Sequence, residues 1–401
     1  FISTRGKHWD IMLWAFYKSG EMGDEQSPWT FKPVQMLQQE AAVILAFGGA
    51  VQVYENSQNL GDGRLAKWRM KRLRQVSRFV RARRRYCRST ETIPQVAVLH
   101  SEHHSRRVLG KDIFFSVDVE PVSGAVFSLL ENHYGVDILD EWALSPRLDQ
   151  FPVVVVPEQD YLSDYMVEEL KRYASEGGRL LLSGFSALER FGQDFIGAEN
   201  KEVQRGKTFF VPGADGSTAV FSEAWRMLQP KQARPLGILG TTPLLEDELL
   251  DAPSAVINRV GRGRVAYIPF DVFRFFGTKR YPLVRQFAGG VMRKLAGRMD
   301  FTLQAPACVD MVLRRRHDKV FGHLINRNSG IPASPNDGSI DEIPFIGPLK
   351  VEVLIEQRPE NVELIFEDSR IDWRYTPGKR AGKLTANIER LHIHSAVMID
   401  L

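Results

Sequence analysis

Glu55 is the acid best placed for chemistry: it follows a short alternating run, residues 50–54, that reads as a strand ending in Tyr54. Trp14, Tyr17 and Trp29 fall around the end of an earlier strand pattern, and Lys18 and Gln52 bring hydrogen-bonding groups to the same two strand ends. Glu21 and Glu25 lie on the loop after that earlier pattern. A positioned carboxyl group can pass a proton or attack an electrophilic carbon, and indole and phenol rings present flat apolar faces to a ligand's C–H groups. Two readings of Glu55 stand at this point, a catalytic carboxylate and a solvated loop acid. Asp62, next to Gly63, reads as a turn or helix-capping residue, and Trp9 and Trp68 read as packing side chains.

The elements that must hold these residues follow from hydrophobic periodicity. Residues 8–17, HWDIMLWAFY, predict one buried strand. Pro33 fits the first position of a helix whose Val34, Leu37, Ala41, Ile44 and Leu45 share a face and which Gly48 and Gly49 stop. After the strand over 50–54, a helix over 64–85 sets Leu65, Trp68, Leu73, Val76, Phe79 and Val80 on one face and almost only basic residues on the other. In a (β/α)8 barrel the chemistry sits at the C-terminal ends of the strands, and two such ends carry Trp14, Lys18, Tyr54 and Glu55. The chain opens without Met and with no βα unit before these strands, so residues 1–93 are expected to be the end of a barrel whose earlier strands belong to a longer parent chain.

Thr92 and Pro94 mark a boundary, after which short strands at 95–100, 136–139, 152–156 and 179–183 alternate with helices. That succession predicts a mostly parallel sheet with flanking helices over residues 94–300. Within it, Ser163 and Asp164 open a helix that Gly177-Gly178 close, residues 255–260 and 264–269 form a hairpin across Gly261-Arg262-Gly263, and a last helix covers 283–296. From Phe301 onward, short alternating runs separated by Pro, Gly, Asn and Asp predict a β-sandwich over 301–401. The expected fold class is therefore α/β: a barrel end, a flavodoxin-like domain and a C-terminal β-sandwich.

Composition narrows the function classes. The 401 residues are 43% hydrophobic and 25% charged with a net charge of +4, the balance of an ordinary globular chain. Two cysteines, Cys87 and Cys308, give neither a disulfide framework nor a zinc spacing. No apolar run approaches the roughly 20 residues of a membrane span. His100, His103 and His104 cluster after a strand, but neighbouring loop histidines rarely point the same way, and His392 and His394, expected to share a face of one strand, lack a third ligand; no metal and no other cofactor is expected. The basic helix has no aromatic or Gly-rich RNA motif, and Gly261-Arg262-Gly263 lacks the third glycine and helix of a dinucleotide site, so neither a nucleic-acid partner nor a dinucleotide is expected.

Lys7-His8-Trp9-Asp10-Ile11-Met12 with Trp14, then Trp29, Lys32-Pro33, Gln38 to Ala42, Gly48-Gly49 and Tyr54 with Asp62-Gly63 together resemble the C-terminal part of multidomain glycoside hydrolases. In the middle third, Asp160-Tyr161-Leu162-Ser163, Gly177-Gly178 and Gly261-Arg262-Gly263 followed by Val265 to Pro269 resemble the glutamine-amidotransferase-like trimerisation domain of β-galactosidases; glycosidases related to α-L-fucosidases are similar as well. The resemblance implies hydrolysis of O-glycosidic bonds in an oligo- or polysaccharide, homo-oligomerisation through the middle domain, Glu55 as catalytic carboxylate, and Trp14, Lys18, Trp29, Gln52 and Tyr54 as sugar-binding residues. An active amidotransferase carries a nucleophilic Cys on the elbow after the strand at 179–183, where this chain has Gly184-Phe185-Ser186, so the middle domain is expected to be catalytically dead. Ser183 and Ser186 lack a Gly-x-Ser-x-Gly elbow. The alternative is a non-catalytic assembly or carbohydrate-binding protein.

Overall fold

The computed structural model describes residues 2–18, 29–55, 64–109, 119–213, 216–244, 248–328, 340 and 342–401, so Glu21, Glu25, Asp62 and Gly63 lie outside the described residues. The chain forms two compact units, Pro94–Met299 on its own and Ile2–Ile93 together with Asp300–Leu401.

In the unit Pro94–Met299 a seven-stranded sheet runs in the order Arg234–Leu236, Ala255–Val260, Gly263–Ile268, Arg179–Ser183, Val153–Pro157, Val96–Leu99, Val136–Leu139. The last five strands are parallel, and the first two add an antiparallel edge. Runs such as Val153-Val154-Val155-Val156 are buried throughout because helices cover both faces of the sheet, which is why these strands read as continuous apolar segments rather than alternating ones. Helix Asp164–Ser175 begins where the Ser163 hydroxyl accepts the Met166 N–H at 3.2 Å, and it stops at Gly177, whose φ of +125° suits glycine. The long hairpin Ala198–Pro212 with Ser217–Pro230 has no counterpart in the sequence reading; its strands carry many charges, yet it delivers Trp225 to the core.

Ser183 ends its strand with its hydroxyl turned inward, donating to Glu158 Oε1 at 3.0 Å. The Glu158 carboxylate also accepts the Phe273 and Arg274 backbone N–H groups at 2.9 and 2.8 Å, at the start of helix Val272–Lys279. Burial, with the Asp271 charge added, pushes this carboxyl up to about 8 against those three hydrogen bonds. The folded state thus holds the Glu158 proton more tightly than the unfolded chain does. The stability this contributes is complete below the ordinary glutamate range near ~4.3 and is lost as pH rises through about 8. Thermal unfolding followed between pH values of about 5 and about 9 should show a midpoint that declines with pH, and Glu158→Gln should flatten the decline; parallel profiles would contradict the assignment.

The second unit opens with β1 (Asp10–Trp14) and β2 (Phe16–Lys18), followed by β3 (Trp29–Phe31), helix α1 (Val34–Ala46), β4 (Ala50–Tyr54) and helix α2 (Lys67–Cys87). β1 and β4 pair in parallel, Asp10 opposite Ala50 and Trp14 opposite Tyr54, with α1 as the crossover. Residues 8–17 are therefore not one strand: the run breaks at Ala15, and Phe16 and Tyr17, continued by Lys18, pair with β3. Gly49 cannot be replaced without movement, because a Cβ there would lie 2.4 Å from the Trp9 ring. Two antiparallel sheets follow, one ordered Phe301–Gln304, Leu349–Ile355, Gly382–Ile388, Ile371–Thr376, the other Asn361–Ile365, His394–Asp400, Lys319–Asn326, Val309–Arg316, Glu91–Thr92. Their inner faces share one core, and the strict alternation of buried residues along Leu349–Ile355 reflects one packed and one open face.

The helix pair is fastened to the second sheet by buried polar contacts. Gln39 Nε2 donates to Asn326 O at 2.6 Å, Arg83 Nη2 donates to His394 O at 3.2 Å, and the Arg314 guanidinium donates to the Thr90 carbonyl and to the hydroxyls of Thr90 and Thr92. His392 and His394 do not share a strand face. His392 precedes the strand and stacks on Phe345 at 4.5 Å, whereas His394 is buried with His323, Nδ1 of His323 lying 3.1 Å from Nε2 of His394. Burial drives both imidazoles to the neutral form, His323 down to about 3.

Candidate functional site

The site is organised by the break at Ala15. Its N–H donates to Tyr54 O at 2.9 Å and its carbonyl accepts Lys32 N–H at 2.8 Å, so one residue closes the β1–β4 pair and anchors the segment leaving β3. The chain then swings Phe16 inward opposite Phe31, and Lys18 falls opposite Trp29 in the β2–β3 register.

Phe16 is the hub of an aromatic group. It is only 8% exposed, and its ring centroid lies 5.2 Å from Tyr54, 5.4 Å from Trp14 and 5.5 Å from Trp29, with Tyr54 and Trp29 meeting it edge-on. The three surrounding rings are each close to half exposed: Trp14 49%, Trp29 47%, Tyr54 45%. Trp14 and Tyr54 also touch edge to face at 6.0 Å. Edge-to-face pairs of this kind contribute on the order of 1 kcal/mol each beyond area burial and fix ring orientation. Gln52 is exposed on β4 two residues before Tyr54, and hence on the same face.

Glu55 follows Tyr54 directly and is neither a free loop acid nor an unpaired one. Its Oε1 lies 2.6 Å from Arg69 Nη1 on α2, and the side chains are 11% and 17% exposed. The short bond to the guanidinium fixes the direction in which this largely buried carboxylate points. Trp68, expected to pack, is 52% exposed; it touches Phe31 edge-on at 5.6 Å, and the Arg69 and Arg72 guanidinium groups lie 5.3 and 5.5 Å from its ring.

The sequence reading missed Glu40. It sits on α1 bonded to Lys32 Nζ at 2.8 Å, and burial raises its carboxyl above the usual range although the Lys32 charge opposes the shift. The sequence carries little signal for it, since Glu40 follows the polar pair Gln38-Gln39; only the structure shows that its neighbours Gln39 and Ala41 are buried. Among the described residues no group of three or more His, Cys, Asp or Glu side chains could hold a metal ion. His104 is instead buried with Nδ1 accepting Tyr161 N–H at 3.3 Å.

Neither a protein-family model nor a curated protein sequence matches the chain significantly. Its fold is nevertheless shared with glycoside hydrolases of known structure. α-L-Fucosidase isoenzyme 2 from Paenibacillus thiaminolyticus superposes with a TM-score of 0.79 at 17% identity, over 100% of this chain and 61% of that one. A catalytic mutant of a GH42 β-galactosidase from G. stearothermophilus gives 0.61 at 14% identity, over 100% of this chain and 56% of that one. The cold-adapted β-galactosidase from Rahnella sp. R3 gives 0.62 at 13% identity, over 97% and 56%. The chain thus spans about six-tenths of these structures, and at such identities the likeness is one of fold.

The hub makes a stability ordering. Phe16→Ala, in a closed environment, should cost about 3 kcal/mol by urea denaturation, whereas Trp29→Ala, whose ring faces solvent on one side, should cost under about 1 kcal/mol. Equal losses would show that the exposed rings are structural rather than presented to a ligand.

Proposed function

We propose that this chain contributes to a glycoside hydrolase acting on O-glycosidic bonds of an oligo- or polysaccharide by carboxylate chemistry. The observation that carries the reading is the group of half-exposed rings of Trp14, Trp29 and Tyr54 fixed around buried Phe16 at the ends of β1 and β4, beside the Arg69-held carboxylate of Glu55. Sugar rings stack their C–H faces on such surfaces; Gln52, exposed on β4, and Lys18, at its register position opposite Trp29, are the residues proposed to bond hydroxyls. In this reading Glu55 is the nucleophile or base, and a second carboxyl group, the acid, stands across the scissile bond. Residues 1–93 act as the end of a catalytic barrel, 94–300 as an amidotransferase-like domain without its nucleophile that joins protomers into a homo-oligomer, and 301–401 as a β-sandwich. The fold shared with a fucosidase and β-galactosidases supports this division.

A second reading, a carbohydrate-binding protein without turnover, draws on the ion pair itself: an acid committed to Arg69 serves to fix the aromatic platform as well as to react. A panel of aryl glycosides separates the two. The first reading expects aglycone release that Glu55→Gln lowers by about a thousandfold or more in kcat with little change in KM. Absence of turnover with retained oligosaccharide binding would establish the second, and turnover indifferent to Glu55→Gln would remove Glu55 from the mechanism.

A further inference from the structure

Helix α2 carries ten Lys and Arg residues among its 21 and no Asp or Glu. Lys67, Lys71, Arg74, Arg78, Arg81 and Arg85 recur at alternating steps of four and three, so they form one exposed stripe about 27 Å long at the helical rise of ~1.5 Å per residue. None of Lys67, Lys71, Arg74, Arg78 and Arg81 has an ion-pair partner among the described residues. The opposite side of the helix is closed, with Val76 and Arg83 buried and Arg83 bonded to His394 O. At the C-terminal end Arg316 adds a further cation, donating to the carbonyls of Arg85 and Arg88. Like charges at i, i+3 and i, i+4 repel one another, and a long anion laid along the stripe removes that repulsion.

The stripe begins at the aromatic group. Trp68 follows Lys67, lies edge-on to Phe31, and has Arg69 and Arg72 over its ring; Phe31 in turn pairs with Phe16 across the β2–β3 register. A ligand leaving the rings around Phe16 thus meets an exposed indole flanked by guanidinium groups and then the row of cations. We infer that α2 is a docking surface for an anionic polysaccharide, a glycan bearing carboxylate or sulfate groups at intervals along its chain. This inference rests on the glycan reading of the Phe16 site and names the charge class of its substrate. Stacking surface and charge row belong together on such a ligand: the sugar rings supply C–H faces and the substituents supply anions. Only Val76, Arg83 and Cys87 of α2 are buried, and the exposed Trp68 indole at the head of the row gives a glycan a stacking surface next to the charges.

The test measures binding of the full chain to fluorescently labelled polygalacturonate and dextran sulfate, with neutral dextran and a short DNA duplex as comparisons. Both anionic glycans should bind and neutral dextran should not, with affinity falling at least tenfold between about 50 and about 200 mM salt. The combined Lys71→Gln, Arg74→Gln, Arg78→Gln and Arg81→Gln variant, changed only at exposed positions to a good helix former, should keep its melting temperature and lose at least tenfold in affinity. Trp68→Ala should weaken the glycans about threefold or more and leave the duplex unaffected. Unchanged affinity in the combined variant, equal binding of neutral dextran, or tighter binding of the duplex than of both glycans would each overturn the proposal, the last in favour of a nucleic acid. Aryl-glycoside turnover reads the other question separately: turnover that persists when polyanion binding is absent leaves the glycosidase reading standing and removes this inference, while polyanion binding without turnover does the reverse.

Discussion

The candidate site depends on the two backbone hydrogen bonds of Ala15. Its N–H closes the β1–β4 pair at Tyr54 and its carbonyl receives Lys32, and the side chain between them is fully buried. Satisfying both groups at once obliges the chain to leave β1 after Trp14 and turn Phe16 inward, because a buried peptide with an unpaired N–H or carbonyl would cost as much as a lost hydrogen bond. The rest follows from that turn: Phe16 becomes the contact of three rings, the rings keep their outer faces open, and Glu55 emerges one residue past the closed pair, within reach of Arg69.

Stiffness reaches this turn through the helices behind it. Ala42 and Ala46 of α1 pack with Val312 and Ile325 of the neighbouring sheet and with Ile393 beside it; Gln39 and Arg83 donate to buried carbonyls there, and Arg314 of the sheet donates to Thr90, just after α2. A polar side chain whose partners are fixed groups of a packed sheet specifies one position rather than many, and each such bond is expensive to break once buried. The βαβ segment is thereby held as a platform, the condition for presenting aromatic rings in one geometry.

The sequence disclosed the parts governed by local periodicity and concealed those governed by distant partners. α1, α2, the parallel strands and the helix opened by Ser163 were legible from apolar spacing and capping residues, and so was the turn at Gly261-Arg262-Gly263. The break at Ala15 was not, because HWDIMLWAFY is apolar throughout and only the partners Tyr54 and Lys32 decide where the strand ends. The hairpin Ala198–Pro212 with Ser217–Pro230 was hidden by its charge content, and the His323–His394 pair by a separation of 71 residues. At the site, residue types and strand ends pointed to Trp14, Trp29, Tyr54 and Glu55; that Phe16 orders the rings and Arg69 holds the acid required coordinates. Glu158 escaped notice because it follows an unbroken apolar strand, and its role came from donors more than a hundred residues away, at Phe273 and Arg274.

The central claim is that the rings around Phe16 are a sugar-binding face. Indole N–H resonances of the seven tryptophans, assigned by single Trp→Phe variants and followed during titration with neutral and acidic oligosaccharides, test it most directly. The account predicts saturable shifts for Trp14 and Trp29 with Trp225, buried in the other unit, unmoved. Shifts confined to tryptophans outside the Phe16 group, or no shift with any saccharide, would contradict it.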